Sequence, residues 1–154
     1  MSDSAPNTGQ PPVLLLIEDN PGDARLVEEA LRDDQLVNAL QVVSAGDDAL
    51  DFVHQRGDYA DAPRPDLVLL DWNLPGTDGE DVLAELKDDP ELEHIPVIVL
   101  TGSQSEKDVS RAYKRHANAC ITKAGDADDY IETLRTFEDF WLSTVRLPTS
   151  DELQ

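Results

Sequence analysis

The chain has 154 residues, and 33 Asp and Glu against 12 Lys and Arg give it a formal net charge of −21. That length suits one domain with a single good core, and so acidic a surface repels the polyanions nucleic acid and anionic membrane, so neither is expected as a partner. An apolar fraction of 40% with clear periodicity excludes a disordered chain, and the charge reads as an acidic, halophilic-type surface that stays hydrated in a salty cytoplasm rather than as a footprint for a basic partner.

Residues 1–12 are rich in Ser, Pro and Asn and carry no apolar stretch, the composition of a flexible tail and not of a signal peptide. No window approaches a membrane span, so a cytoplasmic protein is expected. Val13–Glu18 then reads as an apolar strand. Asn20-Pro21 caps and opens a helix to about Asp33, with Leu26, Val27, Ala30 and Leu31 as its buried stripe. Leu40–Ser44 is a second strand, and Gly46–Gln55 a helix with Ala49, Leu50 and Val53 inward and Gly57 as its stop. A loop with Pro63 and Pro65 leads into the strand Leu67–Asp71, and Trp72–Thr77 forms the next loop. A third helix covers Gly79–Lys87, with Val82, Leu83 and Leu86 inward, and ends before Pro90. The strand Pro96–Leu100, the helix Glu106–Arg115 and the strand Ala119–Thr122 follow. The last helix runs from Ala127 to Thr144. Ile131, Leu134, Phe137, Trp141 and Val145 lie on one stripe, which Phe140 and Leu142 widen. That wide aromatic end is expected to make a homodimer or kinase contact as well as a core. One domain over 13–147 and a short tail over 148–154 complete the chain. Five βα repeats with nearly continuous apolar strands describe a doubly wound α/β domain, a parallel sheet covered on both faces.

Four of these strands end in residues suited to phosphate or a divalent metal: Glu18 and Asp19, Asp71, Thr101, and Lys123. In open α/β sheets the carboxyl ends of the strands form the edge where ligands bind. Three carboxylates gathered there would repel by several kcal/mol per close pair at an effective dielectric of about 20. Either one holds its proton or a cation sits between them, and the hard oxygen donors suit Mg²⁺. Lys123 follows a buried strand, where it can snorkel to solvent, or it can neutralise a carboxylate and clamp a phosphoryl oxygen. The Thr101 hydroxyl, next to the flexible Gly102, can donate to the same group. Carboxylate, Mg²⁺, ammonium and hydroxyl together make a phosphoryl-transfer site with an aspartate nucleophile. Trp72 points away from Asp71 by strand alternation and is expected to be half exposed. His54, His94 and His116 have no paired His or Cys and read as surface or capping residues. The single cysteine, Cys120, excludes a disulfide framework or thiolate cluster and reads as a small core residue.

Four motifs, in order and at strand ends, give the chain a resemblance to the receiver domain of two-component response regulators, the CheY-like fold: Ile17-Glu18-Asp19-Asn20, Asp71-Trp72-Asn73-Leu74-Pro75-Gly76-Thr77-Asp78-Gly79, Leu100-Thr101-Gly102-Ser103 and Ile121-Thr122-Lys123. The resemblance covers Val13 to Val145 and implies a flavodoxin-like sheet of order 2-1-3-4-5 with five helices. It implies that Asp71 accepts phosphate from a histidine kinase. Asp19 and Asp71 would ligate Mg²⁺, Asn73 through its backbone carbonyl and Glu18 mainly through water. Thr101 and Lys123 would hold the phosphoryl group, with movement of Thr101 reporting it. No enzymatic activity is implied beyond self-phosphorylation and slow autodephosphorylation. Asn20-Pro21-Gly22-Asp23-Ala24-Arg25 and the ending Phe140–Pro148 resemble single-domain regulators that partner bacterial phytochrome kinases.

The sequence departs from the family pattern at two places. Ala124 follows the lysine where receivers usually carry a cis proline, so a trans bond is expected. Cys120 stands where an aromatic rotamer switch is usual, which leaves transmission of the signal to loop movement. These departures keep a degenerate docking receiver as an alternative. A Mg²⁺-dependent phosphatase with an Asp nucleophile is another, although Asn73 occupies the place where haloacid-dehalogenase-like enzymes carry a general acid. A flavin carrier on the same fold fits poorly, since the acidic mouth would repel a phosphate cofactor and no Gly/Ser/Thr-rich loop follows the first strand.

Overall fold

Five apolar segments pair into one parallel sheet in the computed structural model, which describes residues 13–31, 40–102, 106–123 and 126–142. The strands are β1 (Leu14–Ile17), β2 (Leu40–Val43), β3 (Leu67–Asp71), β4 (Val97–Thr101) and β5 (Ala119–Thr122), in the order β2-β1-β3-β4-β5. The helices are α1 (Pro21–Ala30), α2 (Gly46–His54), α3 (Gly79–Asp88), α4 (Glu106–Lys114) and α5 (Ala127–Phe137). Strand order and helix content match the flavodoxin-like expectation. No described helix is long and apolar enough to cross a membrane.

Strand alternation divides the core in two. Leu15, Ile17, Val68, Leu70, Val97 and Val99 face α2 and α3, where Phe52, Val53, Val82, Leu83 and Leu86 pack against them. Leu14, Leu16, Leu67, Leu69, Ile98 and Leu100 face α1 and α5, meeting Ala24, Val27, Ala30, Tyr130, Leu134 and Phe137. Both faces of the central strands are therefore covered, as nearly unbroken Leu, Ile and Val runs require.

Several details differ from the sequence reading. Helix α1 ends at Ala30, where Leu31 turns to extended angles and its N–H closes on the Val27 carbonyl at 3.2 Å. Gly57 does not stop α2. Gln55 takes the left-handed position itself at φ 56°, held there as its side-chain amide donates to the Ala62 carbonyl at 2.8 Å, and Gly57 opens a short 3₁₀ turn over Gly57–Tyr59. Helix α5 stops at Phe137 and continues as a π turn over Glu138–Leu142. Trp72 is buried at 7% exposure instead of half exposed, because the following turn wraps back over it. Leu74 joins the same core, and α3 starts directly against the Trp72 backbone, with the Gly79 N–H 3.3 Å from its carbonyl. Only glycine permits that approach, since a Cβ on residue 79 would sit 2.7 Å from both the Asp71 carbonyl oxygen and the Trp72 Cα. Expectations for residues 1–12, 32–33, 124 and 143–154 lie outside the described residues.

Candidate functional site

The parallel ladder continues past the strands and sets the site residues side by side. The Glu18 N–H donates to the Val43 carbonyl at 3.0 Å, and the Lys123 N–H donates to the Thr101 carbonyl at 2.7 Å. Asp71 is the last residue of β3, opposite Leu100, so it stands one residue from Thr101 across the β3–β4 pair. All of these lie at the carboxyl edge of the sheet.

Local chemistry orients the loops around them. The Asn20 side chain caps α1, accepting from the N–H groups of Gly22 at 2.8 Å and Asp23 at 3.2 Å, and Pro21 stands at the first helical position. This cap brings Asp23, in the first turn of α1, to the site. After β3 the Asn73 N–H folds back onto Asp71 Oδ1 at 3.2 Å, and Gly76 supplies a φ of 70° for the turn. Thr77 donates to Asp47 Oδ1 at 2.6 Å, fastening that loop to the start of α2.

Lys123 crosses to the acids. Its Nζ lies 2.6 Å from Glu18 Oε1, 3.1 Å from Asp23 Oδ2 and 3.5 Å from Asp71 Oδ1. Glu18, Asp71 and Thr101 are buried, and Asp19 is exposed. Burial, and next a hydrogen bond with Asp71, push the Glu18 carboxyl up to about 8 against the pull of Lys123. In the metal-free site Glu18 is thus the acid that holds a proton at neutral pH, and its short contact to Lys123 is a hydrogen bond before it is an ion pair. Burial disfavours the charge on Lys123, but Glu18, Asp71 and Asp23 outweigh that and hold its pKa above the ordinary lysine value. The ammonium is therefore permanent at physiological pH.

One carboxylate oxygen each from Glu18, Asp19 and Asp71 lie within 4.8 Å of one another. Three oxygen donors of this kind, one of them open to solvent, fit a hard divalent cation that keeps part of its water shell. The structure brings Glu18, Asp19, Asp71 and Lys123 into one cluster, with Thr101 beside Lys123 and the Asn73 backbone folded against Asp71. An open cleft leads from Asp19 and Asn73 past Trp72 and Pro75 to Arg111.

Two participants escaped the sequence reading. Asp23 is a second acid on Lys123, and the signal for it was the Asn20 cap, which fixes which residues of the first turn face the sheet edge. Tyr113 on α4 accepts a hydrogen bond from the Cys120 N–H at 3.2 Å, so a tyrosine hydroxyl does reach the β5 position where Cys120 stands. Cys120 itself is partly buried, and burial raises its thiol pKa, which agrees with a packing residue. Of the histidines, His116 is exposed with a φ of 74°, while His94 is half-buried, as is His54, which lies 3.8 Å from Glu85 and 3.7 Å from Asp89.

The response regulator receiver domain family matches residues 14–135. The response regulator Rcp1 of Synechocystis is 44% identical over 140 residues, covering 91% of this chain and 95% of Rcp1. The crystal structure of the Mn²⁺-bound form of Rcp1 superposes with a TM-score of 0.84 at 44% identity, covering 90% of this chain and 100% of that one. The structure of the phosphorylated cyanobacterial phytochrome response regulator RcpA gives a TM-score of 0.86 at 43% identity, covering 90% and 99%.

Proposed function

The chain belongs to the response regulator receiver family, and we propose that within this phospho-accepting fold Asp71 is the residue that takes the phosphoryl group from a kinase phosphohistidine. An Asp71 carboxylate oxygen attacks phosphorus, the N–P bond breaks, the imidazole leaves with its electron pair, and an acyl phosphate forms. Bound Mg²⁺ would offset the charge that builds on the phosphoryl oxygens. Its ligands would be Asp19, Asp71 and the Asn73 backbone carbonyl, with Glu18 acting mainly through water. Lys123 turns from Glu18 and Asp23 to a phosphoryl oxygen, the Thr101 hydroxyl donates to another, and the shift of Thr101 changes the surface offered to partners.

The observation that carries this reading is the Lys123 ammonium set 3.5 Å from Asp71 beside a cluster of three carboxylates. A haloacid-dehalogenase-like phosphatase would carry a general acid two residues after the nucleophile, and Asn73 offers only an amide there. The likeness to RcpA, a cyanobacterial phytochrome response regulator, supports a phytochrome-like histidine kinase as donor. The exposed Phe140 after α5 supports a protein contact there, with a second copy of the chain or with a kinase. A cytoplasmic setting suits such a relay.

Intact-mass measurement after incubation with acetyl phosphate tests the assignment. A gain of one phosphoryl group that requires Mg²⁺ and is lost in Asp71→Asn is expected. Equal modification of Asp71→Asn would refute it.

A further inference from the structure

Tyr130 stands in the first turns of α5, is 3% exposed, and its hydroxyl oxygen is sealed from solvent with no hydrogen-bond partner among the described residues. A buried hydroxyl left unpaired is costly, so native structures rarely keep one without a reason. Its surroundings supply one. The ring packs in the core layer formed by Leu16, two residues before Glu18, Leu100, one before Thr101, Ala24, next to Asp23, and Ile121, two before Lys123. Helix α5 opens just past the carboxyl end of β5 and packs against α1, so Tyr130 in its first turns shares the sheet edge with the segments that carry the ion cluster. Burial first, and then the charges of Glu18, Asp23 and Asp71, hold its pKa above the ordinary tyrosine value, so the hydroxyl stays a donor at any physiological pH.

In the resting arrangement these acids already share a donor, since Lys123 Nζ is 2.6 Å from Glu18 and 3.1 Å from Asp23. If Asp71 is the phosphoacceptor, on which this inference rests, phosphorylation draws the ammonium to the phosphoryl oxygens and leaves Asp23 without it. We propose that Tyr130 is a positioning residue for the phosphorylated state, its hydroxyl donating to the Asp23 carboxylate once Lys123 has turned away. The proton stays on the tyrosine oxygen, and only hydrogen bonds exchange. An unpaired hydroxyl penalises the resting state and a charge-assisted hydrogen bond favours the phosphorylated one, so both effects bias the switch in the same direction.

The test uses the full chain, titrated with beryllofluoride in the presence of Mg²⁺ and followed by tryptophan emission, with thermal unfolding recorded without ligand. Failure of the unmodified chain to bind beryllofluoride removes the phosphoacceptor reading and this inference with it; the comparison of variants bears on Tyr130 alone. Tyr130→Phe should weaken beryllofluoride binding roughly tenfold, the loss of about one hydrogen bond to a charged group, while the ligand-free unfolding midpoint is unchanged or raised. In an Asp23→Ala background the same substitution should have no further effect on affinity. Unchanged affinity in Tyr130→Phe, or a fall in ligand-free stability as large as the fall in binding, would overturn the proposal. A measurement independent of any variant is the Tyr130 hydroxyl proton in NMR spectra of the unmodified chain. It should move downfield and exchange more slowly on adding beryllofluoride, and an unmoved resonance counts against the proposal.

Discussion

The proton on Glu18 makes metal binding pH-dependent, and the size of the effect follows from the site. Glu18 is 2% exposed and its carboxyl is pushed up to about 8, while its oxygen lies within 4.8 Å of those of Asp19 and Asp71. A cation entering this cluster favours the ionised acid, so binding expels the proton. With an acid that titrates near 8, apparent Mg²⁺ affinity should rise roughly tenfold per pH unit well below that value, about 50-fold from pH 6 to pH 8, and level off above it. Isothermal titration calorimetry in buffers of different ionisation enthalpy reads both the affinity and the proton released, which should approach one per Mg²⁺ at pH 6. In Glu18→Gln the profile should be flat and proton release should vanish. An affinity in the unmodified chain that does not change between pH 6 and 8 would show that Glu18 holds no proton there and that the electrostatic description of the cluster is wrong.

The same acid ties stability to pH in the metal-free chain. The folded state holds the Glu18 proton to about 8 against 4.5 for the free side chain, so this contribution is full below pH 4.5 and is lost as pH rises toward 8. The unfolding midpoint should fall across that window, with Glu18→Gln removing the slope and saturating Mg²⁺ reducing it. Lys123→Met removes the group that holds Glu18 down, so the midpoint of its Mg²⁺ profile should move above pH 8, while beryllofluoride no longer shifts tryptophan emission. Gly79→Ala forces a Cβ to 2.7 Å from the Asp71 carbonyl and the Trp72 backbone. Overpacking of that kind costs about 1–3 kcal/mol in denaturant unfolding, and displacement of the strand end should also weaken beryllofluoride binding. Leu83→Ala, at a fully buried position of α3, should cost about 2–5 kcal/mol by the same unfolding assay and leave the affinity of the folded fraction unchanged.

The parts of this molecule that were legible in its sequence are those decided by short-range pattern. Leu14–Ile17, Leu67–Leu70 and Val97–Leu100 are buried on both faces, and their unbroken apolar character announced it. Because a strand delivers whatever follows its apolar run to the sheet edge, Glu18, Asp19, Asp71, Thr101 and Lys123 could be gathered from sequence alone. What stayed hidden depends on residues far apart in the chain. Trp72 is covered by a loop that can close only because residue 79 is a glycine. Gln55 ends α2 with a left-handed residue because its amide reaches Ala62. Asp23 meets Lys123 across 100 residues of sequence, and Tyr130 shares the sheet edge with the site only because α5 packs beside α1. Alternation carries no information about such contacts; they follow from how the helices settle on the sheet.

The most direct test of the central claim is chemical mapping of the modified residue. An acyl phosphate is reduced by borohydride, which converts the acceptor aspartate to homoserine in a position that peptide mass spectrometry can read. After transfer from a phosphorylated histidine kinase in the presence of Mg²⁺, homoserine is predicted at position 71. Homoserine at position 19, or a phosphoryl group that resists borohydride because it sits on a hydroxyl, would contradict it.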